Sequence, residues 1–329
     1  MARIIDIEED RQAALAAGVA VLSRGEPVAI PTETVYGLAA DATNPDAISR
    51  IYETKGRPRF NPLICHMSDL AMAQRHAAFD PLSLKLAEAF WPGPLTLVLP
   101  LLAESPIHPL ATAGLDTVGV RVPEGFAAEL IAAFGRPLAA PSANISGRIS
   151  PTTARHVADD LGDRIELVLD GGSALVGVES TIVKIEGERV RLLRPGGLSV
   201  DDIEACLGVR VERASGAEAI EAPGMLASHY APRAGVVLNV EEVHDGEVLV
   251  NFGGRRIAGS ENALAVFDLS PSGDLREAAA NLFATMKEAD RLGAATLAFA
   301  PIPQHNLGEA INDRLSRAAA PRHRSETGP

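Results

Sequence analysis

The stretch GEPVAIPTETVYGL, residues 25–38, shows how the chain is built. Gly25 follows the alanine-rich segment Glu8–Arg24, which predicts a helix, and a glycine just past such a segment is a common helix stop. Pro27–Pro31 is a short apolar run bounded by prolines and predicts a buried strand. Directly after it the chain turns polar, with two threonines and a carboxylate in an apolar frame. This order of helix, strand and polar strand end is typical of an α/β domain.

The same alternation continues through the first two hundred residues. Apolar runs that predict strands are Leu63–His66, Leu95–Leu99, Val118–Val122, Pro137–Ala140, Leu167–Asp170, Thr181–Ile185 and Val190–Leu193. Segments that predict helices lie between them, at Pro45–Glu53, Pro81–Phe90, Gly125–Phe134 and Thr152–Leu161. Strands alternating with helices predict an α/β domain, which we place at residues 1–208.

The composition changes at about Arg213. Arg213–Pro223 is small, polar and acidic and predicts a linker, which we place at 209–233. After it come four apolar runs and two amphipathic segments: Gly235–Val240, Glu247–Phe252, Ala263–Leu269 and Ala295–Ala300, with helices at Leu275–Leu292 and Leu307–Ala319. Short strands separated by helices predict a small Rossmann-like domain at 234–320. The tail 321–329 is predicted to be disordered.

Charge and composition exclude several classes of function. The 329 residues include 30 basic and 43 acidic side chains, a formal net charge of -13. Stable nucleic-acid binding is not expected, because proteins that mainly hold nucleic acid normally have a basic excess. Prolines interrupt the longest charge-free stretch, at 89–103, so no membrane-spanning segment is predicted. The N-terminus lacks the pattern of a signal peptide, and we expect a cytoplasmic protein.

Common catalytic motifs are missing from the sequence. It contains no G-x-x-x-x-G-K-[ST] phosphate loop, no H-E-x-x-H zinc motif and no G-x-S-x-G nucleophile elbow. Two cysteines are too few for a disulfide scaffold or a cysteine-built zinc site. A catalytic site would therefore have to be assembled from the ends of several strands.

Two polar segments in the first hundred residues suit a ligand site. Thr32–Thr34 can hydrogen-bond a small polar ligand, although the same residues also suit a helix cap or a turn. Lys55–Arg59 carries three cations beside glycine and proline, which makes a stiff loop suited to phosphate. A solvated basic turn is the alternative explanation for this loop.

Two further segments follow predicted strands later in the domain. Ser142 and Asn144 lie two residues apart and face the same side in extended geometry, although a Ser/Asn turn is a common strand terminator. Arg121 lies within an apolar strand and needs an anionic partner, either a ligand or a structural salt bridge. Each segment is therefore ambiguous when taken alone.

Together the segments resemble the YrdC/Sua5 family of threonylcarbamoyl-AMP synthases. The family's motifs occur in the expected order: P-T-E-T-V-Y-G-L from Pro31, K-x-R-P-x-x-x-P-L-I-x-H from Lys55, W-P-G-P-L-T from Trp91, G-L-D-T-V-x-V-R-x-P from Gly114, A-P-S-A-N-x-S-G from Ala140, G-V-E-S-T-I from Gly177 and L-R-P-G from Leu193. The resemblance covers Ile4 to Gly208, and residues 223–232 look like the linker of the long Sua5 form. It implies a twisted mixed sheet with a concave groove, followed by a Rossmann-like C-terminal domain.

The resemblance also implies a reaction. Family members convert L-threonine, bicarbonate and ATP into L-threonylcarbamoyladenylate and pyrophosphate, which is a nucleotidyltransferase reaction. A separate tRNA threonylcarbamoyltransferase complex then uses the product to make N6-threonylcarbamoyladenosine at position 37 of tRNA. Mg²⁺ is expected with ATP, held mainly by the triphosphate and not by protein ligands, and no tightly held cofactor is expected.

Site residues follow from matching the motifs position by position. The resemblance implies that threonine is bound by Thr34, His66, Arg121, Ser180 and the backbone of Ala140. It implies that ATP is bound by Arg57, Asn61, Thr117, Ser142, Asn144, Ser150 and Arg194. Lys55 and Arg57 are the expected catalytic cations, which neutralise charge on the phosphates.

The linker contains an aromatic residue that a plain tether would not need. We expect Tyr230 to fold back over the N-terminal groove and reach the nucleotide, which would exclude water from a reactive adenylate. The alternative is that Tyr230 only docks the linker on the C-terminal domain.

Two other functions fit the same catalytic domain. An RNA-binding module of this fold is one, and the net charge of -13 argues against it. A carbamoyl-adenylate-forming maturation protein is the other, but that family adds an acylphosphatase-like domain and cysteine-rich zinc fingers, for which two cysteines are too few.

Overall fold

The structure, a computed structural model, describes residues 1–213, 221–224 and 228–321. The predicted linker lies partly outside these residues, and so does the predicted tail except for its first residue. The chain divides into two compact units. The first contains Met1–Ser146 and Ser150–Met225, and the second contains Gly147–Ile149 and Leu226–Pro329.

The first unit is built on a large mixed sheet. Its strands are β1 (Arg3–Asp6), β2 (Val28–Ile30), β3 (Gly37–Asp41), β4 (Ile64–His66), β5 (Leu95–Pro100), β6 (Thr117–Arg121), β7 (Leu138–Ala139), β8 (Leu167–Asp170), β9 (Thr181–Glu186), β10 (Arg189–Arg194) and β11 (Val211–Arg213). These eleven strands lie in the order β1-β8-β2-β3-β7-β4-β6-β5-β9-β10-β11. The sheet combines parallel pairs such as β4–β6 with antiparallel pairs such as β5–β6. The predicted α/β fold with a mixed sheet is confirmed.

Helices cover this sheet and enclose its core. They are α1 (Arg11–Ser23), α2 (Pro45–Lys55), α3 (Leu70–Gln74), α4 (Pro81–Phe90), α5 (Pro109–Thr112), α6 (Phe126–Phe134), α7 (Ala154–Leu161) and α8 (Val200–Leu207). Sequence signals explain their limits: α2 begins after Asn44, whose side chain accepts the amides of Asp46 and Ala47, and it ends at Gly56 with φ 60°. The loop that follows α2 is the predicted phosphate loop.

The first predicted helix begins three residues later than expected. Asp10 caps α1 by accepting the amide of Ala13, so the helix cannot start before it. Glu8 instead lies in a turn, where its amide donates to the side chain of Asp6. The acidic residues at 8–10 therefore end β1 and cap α1 rather than belonging to the helix.

The strand β3 was not predicted, and it changes the placement of the first motif. Gly37–Asp41 pairs antiparallel with β2, with Ile30 opposite Gly37 and Val28 opposite Ala39. All five residues of β3 are buried. The polar residues 31–36 thus form the connection of a β2–β3 hairpin, and not the end of an isolated strand.

The second unit contains a four-stranded parallel sheet. Its strands are β12 (Gly235–Leu238), β13 (Val248–Asn251), β14 (Ala265–Asp268) and β15 (Thr296–Phe299), in the order β12-β15-β13-β14. The helices α9 (Leu275–Arg291) and α10 (Leu307–Ala319) follow β14 and β15. The Rossmann-like parallel sheet is confirmed, and both helices predicted for this unit are present, with α9 ending one residue earlier than expected. Irregular chain joins β12 to β13, and only a short 3₁₀ turn lies between β13 and β14.

Candidate active site

Sheet register brings three of the predicted threonine residues together. His66 at the end of β4 lies opposite Arg121 at the end of the parallel strand β6. On the other side of β4, the antiparallel strand β7 ends at Ala139, and the amide of Ala140 donates to Ile64 O at 3.0 Å. Strands adjacent in the sheet therefore assemble residues that are far apart in the sequence.

Arg121 has an anionic partner within the protein. The guanidinium is 4% exposed and donates from Nη2 to Glu33 Oε1 at 2.6 Å, from Nη1 to Thr34 Oγ1 at 2.9 Å and from Nε to Gly93 O at 3.2 Å. The predicted alternative of a structural salt bridge is thus confirmed. A guanidinium has five N–H donors, so two remain, one on each terminal nitrogen. They suit a carboxylate.

Glu33 is a site residue to which the sequence analysis assigned no role. Its second oxygen, Oε2, accepts the amide of Glu124 at 3.2 Å, which fixes the carboxylate between two segments. Thr34, its neighbour, is fully buried, and its hydroxyl lies 2.8 Å from that of Thr32. The motif around Pro31 was the available signal, since it places a carboxylate between these threonines.

His66 is a buried, neutral imidazole. Burial and the nearby Arg121 cation lower its pKa to about 3, because both disfavour the charged ring. Nδ1 lies 3.3 Å from Ile64 O, where it can donate to the carbonyl. At neutral pH His66 can therefore offer a hydrogen bond to threonine but no positive charge.

Ser180, predicted to bind threonine, contacts Arg194, predicted to bind ATP. Arg194 Nη2 donates to Ser180 O at 2.8 Å and lies 3.2 Å from Ser180 Oγ. Thr96, which no prediction named, shares a 2.8 Å hydrogen bond with the same hydroxyl. The motif W-P-G-P-L-T ends at Thr96 and was the signal that could have identified it.

Glycine is required where the last two motifs meet. A Cβ on Gly196 would lie 2.3 Å from Glu179 O and 2.4 Å from the carbonyl carbon of Ser180. Real Cβ atoms do not approach backbone this closely, so only glycine fits. The close approach holds the segment L-R-P-G against V-E-S-T.

Ser150 is used inside the protein. Its hydroxyl donates to Glu179 Oε1 at 2.5 Å, and both side chains are buried. Ser150 is fully inaccessible and holds Glu179, and its expected contact with ATP stays a prediction. Glu179 is a second carboxylate that the sequence analysis left without a role.

Lys55, expected to be a catalytic cation near the phosphates, forms hydrogen bonds within the protein. Only 1% of the residue is exposed, and Nζ donates to Ser142 O and Asn144 O, both at 2.5 Å, and to Asn144 Oδ1 at 3.3 Å. An ammonium has three donors, so all of them are used. Burial, assisted by the Arg57 cation, lowers the Lys55 pKa well below its usual value. Lys55 holds the loop that carries Ser142 and Asn144.

Arg57 is likewise buried, although a polar surface loop was expected. It donates from Nη2 to Pro62 O at 2.9 Å and from Nε to Asn61 O at 3.3 Å. Arg59 is the exposed cation of this loop, and it forms no salt bridge or side-chain hydrogen bond within the described residues. Removing the Arg57 side chain would take these donors from Asn61 O and Pro62 O.

Asn61 and Thr117 lie at the same end of the sheet. Asn61 is 2% exposed, and its Oδ1 has no hydrogen-bond partner among the described residues. The parallel pairing of Ile64 with Gly119 sets the start of β4 beside the start of β6, where Thr117 lies. Thr117 is therefore about 13 Å from Arg121, at the other end of its strand.

Tyr230 lies in the core of the second unit. It is completely buried, its ring stacks on Phe283 at 5.4 Å, and the Arg314 guanidinium lies 5.1 Å from the ring centre. These ring contacts are with residues of its own unit, as the docking alternative requires. The expectation that Tyr230 contacts ATP stays a prediction.

Two absences apply to the described residues alone. Across residues 1–213, 221–224 and 228–321, no three His, Cys, Asp or Glu side chains are grouped so as to hold a metal ion. In the same ranges, no helix has the length and apolar character needed to cross a membrane.

Comparison with known proteins assigns the chain to a family. A family model named Sua5_yciO_yrdC, described as telomere recombination, matches residues 20–196. A second model, described as the C-terminal domain of threonylcarbamoyl-AMP synthase, matches residues 198–320. The chain belongs to the Sua5/YciO/YrdC family. The resemblance inferred from the motifs is thereby confirmed.

Relatives of this Sua5-family chain match it over nearly its whole length. It is 41% identical over 330 residues to a threonylcarbamoyl-AMP synthase of Pyrococcus abyssi, covering 94% of this chain and 95% of the relative. A Bacillus subtilis protein of the same name is 40% identical over 324 residues, covering 94% and 93%. The crystal structure of P. abyssi Sua5 complexed with L-threonine matches with a TM-score of 0.86 and 38% identity over 97% of each chain.

Proposed function

We propose that this chain is an L-threonylcarbamoyladenylate synthase, a nucleotidyltransferase. It converts L-threonine, bicarbonate and ATP into L-threonylcarbamoyl-AMP and pyrophosphate. One observation carries the proposal: relatives named threonylcarbamoyl-AMP synthase are 40–41% identical to the chain over 94% of its length. The match to a Sua5 structure complexed with L-threonine supports threonine as the amino-acid substrate.

Threonine binds around Arg121. Its carboxylate accepts the two N–H donors of Arg121 that Glu33, Thr34 and Gly93 leave over. The hydroxyl of Ser180 and the neutral ring of His66 offer further hydrogen bonds, and the backbone of Ala140 completes the site. The carboxylate of Glu33 lies close enough to Arg121 to attract the ammonium group of the same substrate.

ATP binds on the loops that follow α2 and β7. Ser142 and Asn144 lie on one of these loops, and Asn61 on the other offers a buried oxygen that can accept an N–H or O–H group of the nucleotide. Arg57 and Arg194 supply positive charge, and Thr117 lies beside Asn61. Ser150 contributes to the site indirectly, through its hydrogen bond to Glu179. Mg²⁺ enters with the triphosphate as part of the substrate.

The reaction needs two bond-forming steps and no covalent enzyme intermediate. The neutral amine of threonine forms an N–C bond with bicarbonate carbon, and loss of water leaves a carbamate. A carbamate oxygen then attacks the α-phosphorus, and the bond from that phosphorus to the bridging oxygen breaks to release pyrophosphate. Buried cations near the phosphates stabilise charge that develops in this displacement, since their field is weakly screened there.

The product leaves for another enzyme. A tRNA threonylcarbamoyltransferase complex would attach the threonylcarbamoyl group to adenosine 37 of tRNA. The net charge of -13 is consistent with an enzyme that does not itself hold tRNA. Because the product is used in tRNA modification, we place the enzyme in the cytoplasm.

The test is direct detection of the adenylate. The full chain is incubated with ATP, ¹³C-bicarbonate and L-threonine, L-serine or L-valine, and the products are analysed by mass spectrometry. We expect labelled threonylcarbamoyl-AMP with threonine. Serine loses one methyl contact and should react about 10–200-fold less efficiently, while valine lacks the hydroxyl and should be rejected more strongly.

The same preparation distinguishes the alternatives. Formation of no adenylate from any amino acid, together with a tRNA gel shift at physiological salt, would favour the RNA-binding module. Adenylate formation that requires carbamoyl phosphate in place of threonine and bicarbonate would favour a carbamoyl-adenylate maturation enzyme. Equal rates with valine and threonine would show that the hydroxyl is not recognised.

A further inference from the structure

A glycine–arginine loop follows a central strand of the second unit and has no part in the proposed reaction. β13 ends at Asn251. Residues Gly253–Arg256 lie just beyond this end, and we call them the GGRR loop. Gly253 and Gly254 have φ values of 73° and 61°. These left-handed values favour glycine, and two in succession let the backbone turn sharply at the strand end. The arginine pair thus lies directly beyond a central strand.

The topology puts this loop where small ligands bind in related architectures. β13 and β15 are neighbours in the middle of a parallel sheet, so their carboxyl ends lie side by side. The chain leaves β13 for β14 on one side, and it leaves β15 for α10, which packs against β12 on the other. In open parallel sheets, ligands bind in the crevice where the connections diverge in this way.

The two arginines of the GGRR loop are exposed and available. Neither Arg255 nor Arg256 forms a salt bridge or a side-chain hydrogen bond within the described residues. Some exposed arginines of this acidic chain are paired with carboxylates, Arg24 with Glu166 at 2.6 Å and Arg189 with Glu212 at 2.6 Å, whereas Arg255 and Arg256 are not paired with any carboxylate that the structure describes. Adjacent guanidinium groups without a carboxylate suit a phosphate group, which arginine can bind in bidentate fashion.

A buried oxygen beneath the loop indicates a second ligand group. Asn251 is 6% exposed, and its Nδ2 donates to Arg255 O at 2.8 Å. Its Oδ1 has no hydrogen-bond partner among the described residues. Buried polar atoms without a partner are uncommon, and a carbonyl oxygen requires a donor. A hydroxyl or amino group of a ligand would supply it.

Contacts from the end of β14 and the segment after it show which groups are left for the ligand. The amide of Gly253 donates to Ser270 O at 2.8 Å, and the amide of Gly254 donates to Asp268 Oδ2 at 3.0 Å. These two backbone donors fix the loop to its neighbour, so they do not form a phosphate cradle. The arginine side chains are therefore the groups that would hold an anion.

We propose that this edge of the second unit binds a phosphorylated small molecule with a hydroxyl or amino donor, such as a sugar phosphate or a nucleotide. Arg255 and Arg256 hold the phosphate. The two glycines turn the backbone away from the strand end, and Asn251 Oδ1 accepts the hydroxyl or amino group of the ligand. The site shares no residue with those assigned to threonine and ATP.

The experiment locates binding by hydrogen exchange in the full chain. Ribose 5-phosphate and AMP should slow amide exchange in the peptide that contains residues 252–257, and ribose and adenosine should not. Inorganic phosphate should bind more weakly than ribose 5-phosphate. Protection by AMP alone would identify a nucleotide site, and protection by both would identify a sugar-phosphate site, so each result supports the proposal.

Variants assign the two parts of the site. In R255A/R256A the dissociation constant for ribose 5-phosphate should rise at least about tenfold. In N251L the preference for ribose 5-phosphate over inorganic phosphate should disappear. Arg291→Ala is the matched control, because Arg291 lies at the C-terminal end of α9, away from the strand end that carries the GGRR loop. This variant should bind ribose 5-phosphate as the wild type does.

The outcomes separate this proposal from the proposed enzyme. R255A/R256A should form threonylcarbamoyl-AMP at the wild-type rate, since the loop takes no part in that reaction. Absence of protection at 252–257 with every phosphate probe would overturn the site. Equal weakening in Arg291→Ala would overturn it as well, because binding would then reflect charge alone.

Discussion

Replacing Lys55 by methionine tests whether this lysine holds a loop or contacts phosphate. Methionine keeps the length and apolar stem of the side chain but removes the ammonium. Ser142 O and Asn144 O each lose a buried donor at 2.5 Å. A buried acceptor without its donor costs about 1–3 kcal/mol, so the two together cost about 2–6 kcal/mol.

Two effects reduce this sum. Ser142 O also accepts the amide of Asn144 at 3.0 Å, so it keeps one partner. Removing a buried charge also recovers part of the cost of having desolvated it. We therefore expect Lys55→Met to lower the free energy of unfolding of the first unit by about 2 kcal/mol.

The assay follows unfolding in urea by the fluorescence of Trp91, the single tryptophan, which lies in the first unit. Pyrophosphate release is measured in parallel. A displaced loop should raise the KM for ATP, because Ser142 and Asn144 are carried by it. Lys55→Arg should not rescue the variant, since the larger guanidinium does not fit a site that is 1% exposed. Unchanged stability with turnover lowered at least about a hundredfold would refute the loop-holding role and restore direct phosphate contact.

Three further perturbations follow from the site. His66 has a pKa of about 3 in the folded chain and about 6.5 when unfolded. Between these values the unfolded state binds more protons, so the stability that depends on His66 is complete above about pH 6.5 and falls as the pH falls. In wild type this lowers the free energy of unfolding by up to about 2.5 kcal/mol between pH 6.5 and 4.5. His66→Gln should remove this part of the pH dependence, as measured by urea unfolding at each pH. Arg57→Ala should reduce turnover at least about a hundredfold and also destabilise the first unit by about 1–3 kcal/mol. Arg59 is exposed, so Arg59→Ala should leave stability unchanged. Equal stabilities for both variants would contradict the buried contacts of Arg57. Tyr230→Ala should destabilise the second unit by about 3–5 kcal/mol in calorimetry and leave the ratio of adenylate to pyrophosphate unaltered; a lower ratio with unchanged stability would instead place Tyr230 at the nucleotide.

Elements with local start and stop signals could be predicted from the sequence. Pro81–Phe90 forms a helix over the predicted residues because Asp80 caps it and Trp91-Pro92 follows it. Leu307–Ala319 was also predicted with the correct ends. Their limits depend on neighbouring residues, and such signals can be found without knowledge of the fold.

Elements that depend on distant partners could not be predicted. β3 lies in a motif of mixed polarity, and it is a strand because it pairs with β2 on one side and with β7 on the other. β11 is a three-residue strand that pairs with β10 at the edge of the sheet, and two of its residues are exposed. Local composition favours a strand at neither position, so pairing with neighbouring strands decides that these residues form strands.

The motifs predicted which site residues belong together but not which of their atoms face a ligand. Lys55, Arg57 and Ser150 have the side chains of a phosphate site, yet each donates to groups of the protein itself. A polar side chain in a glycine- and proline-rich segment can serve either purpose, and burial decides between them. Burial of a loop depends on the elements packed over it, which residue spacing does not show.

The pair formed by Arg121 and Glu33 suits the zwitterionic substrate of the proposed reaction. The two opposite charges lie 2.6 Å apart and are almost completely buried, so the pair carries no net charge into the site. His66 adds none, because its ring is neutral. In the proposed reaction a zwitterionic amino acid would keep this balance, because its carboxylate would take the remaining donors of Arg121 and its ammonium would be attracted by Glu33. Carboxylation of the amine turns a positive group into a negative one, which Glu33 would repel. Glu33 would therefore attract the substrate and destabilise the carbamate beside it, which favours the next step of the proposed reaction.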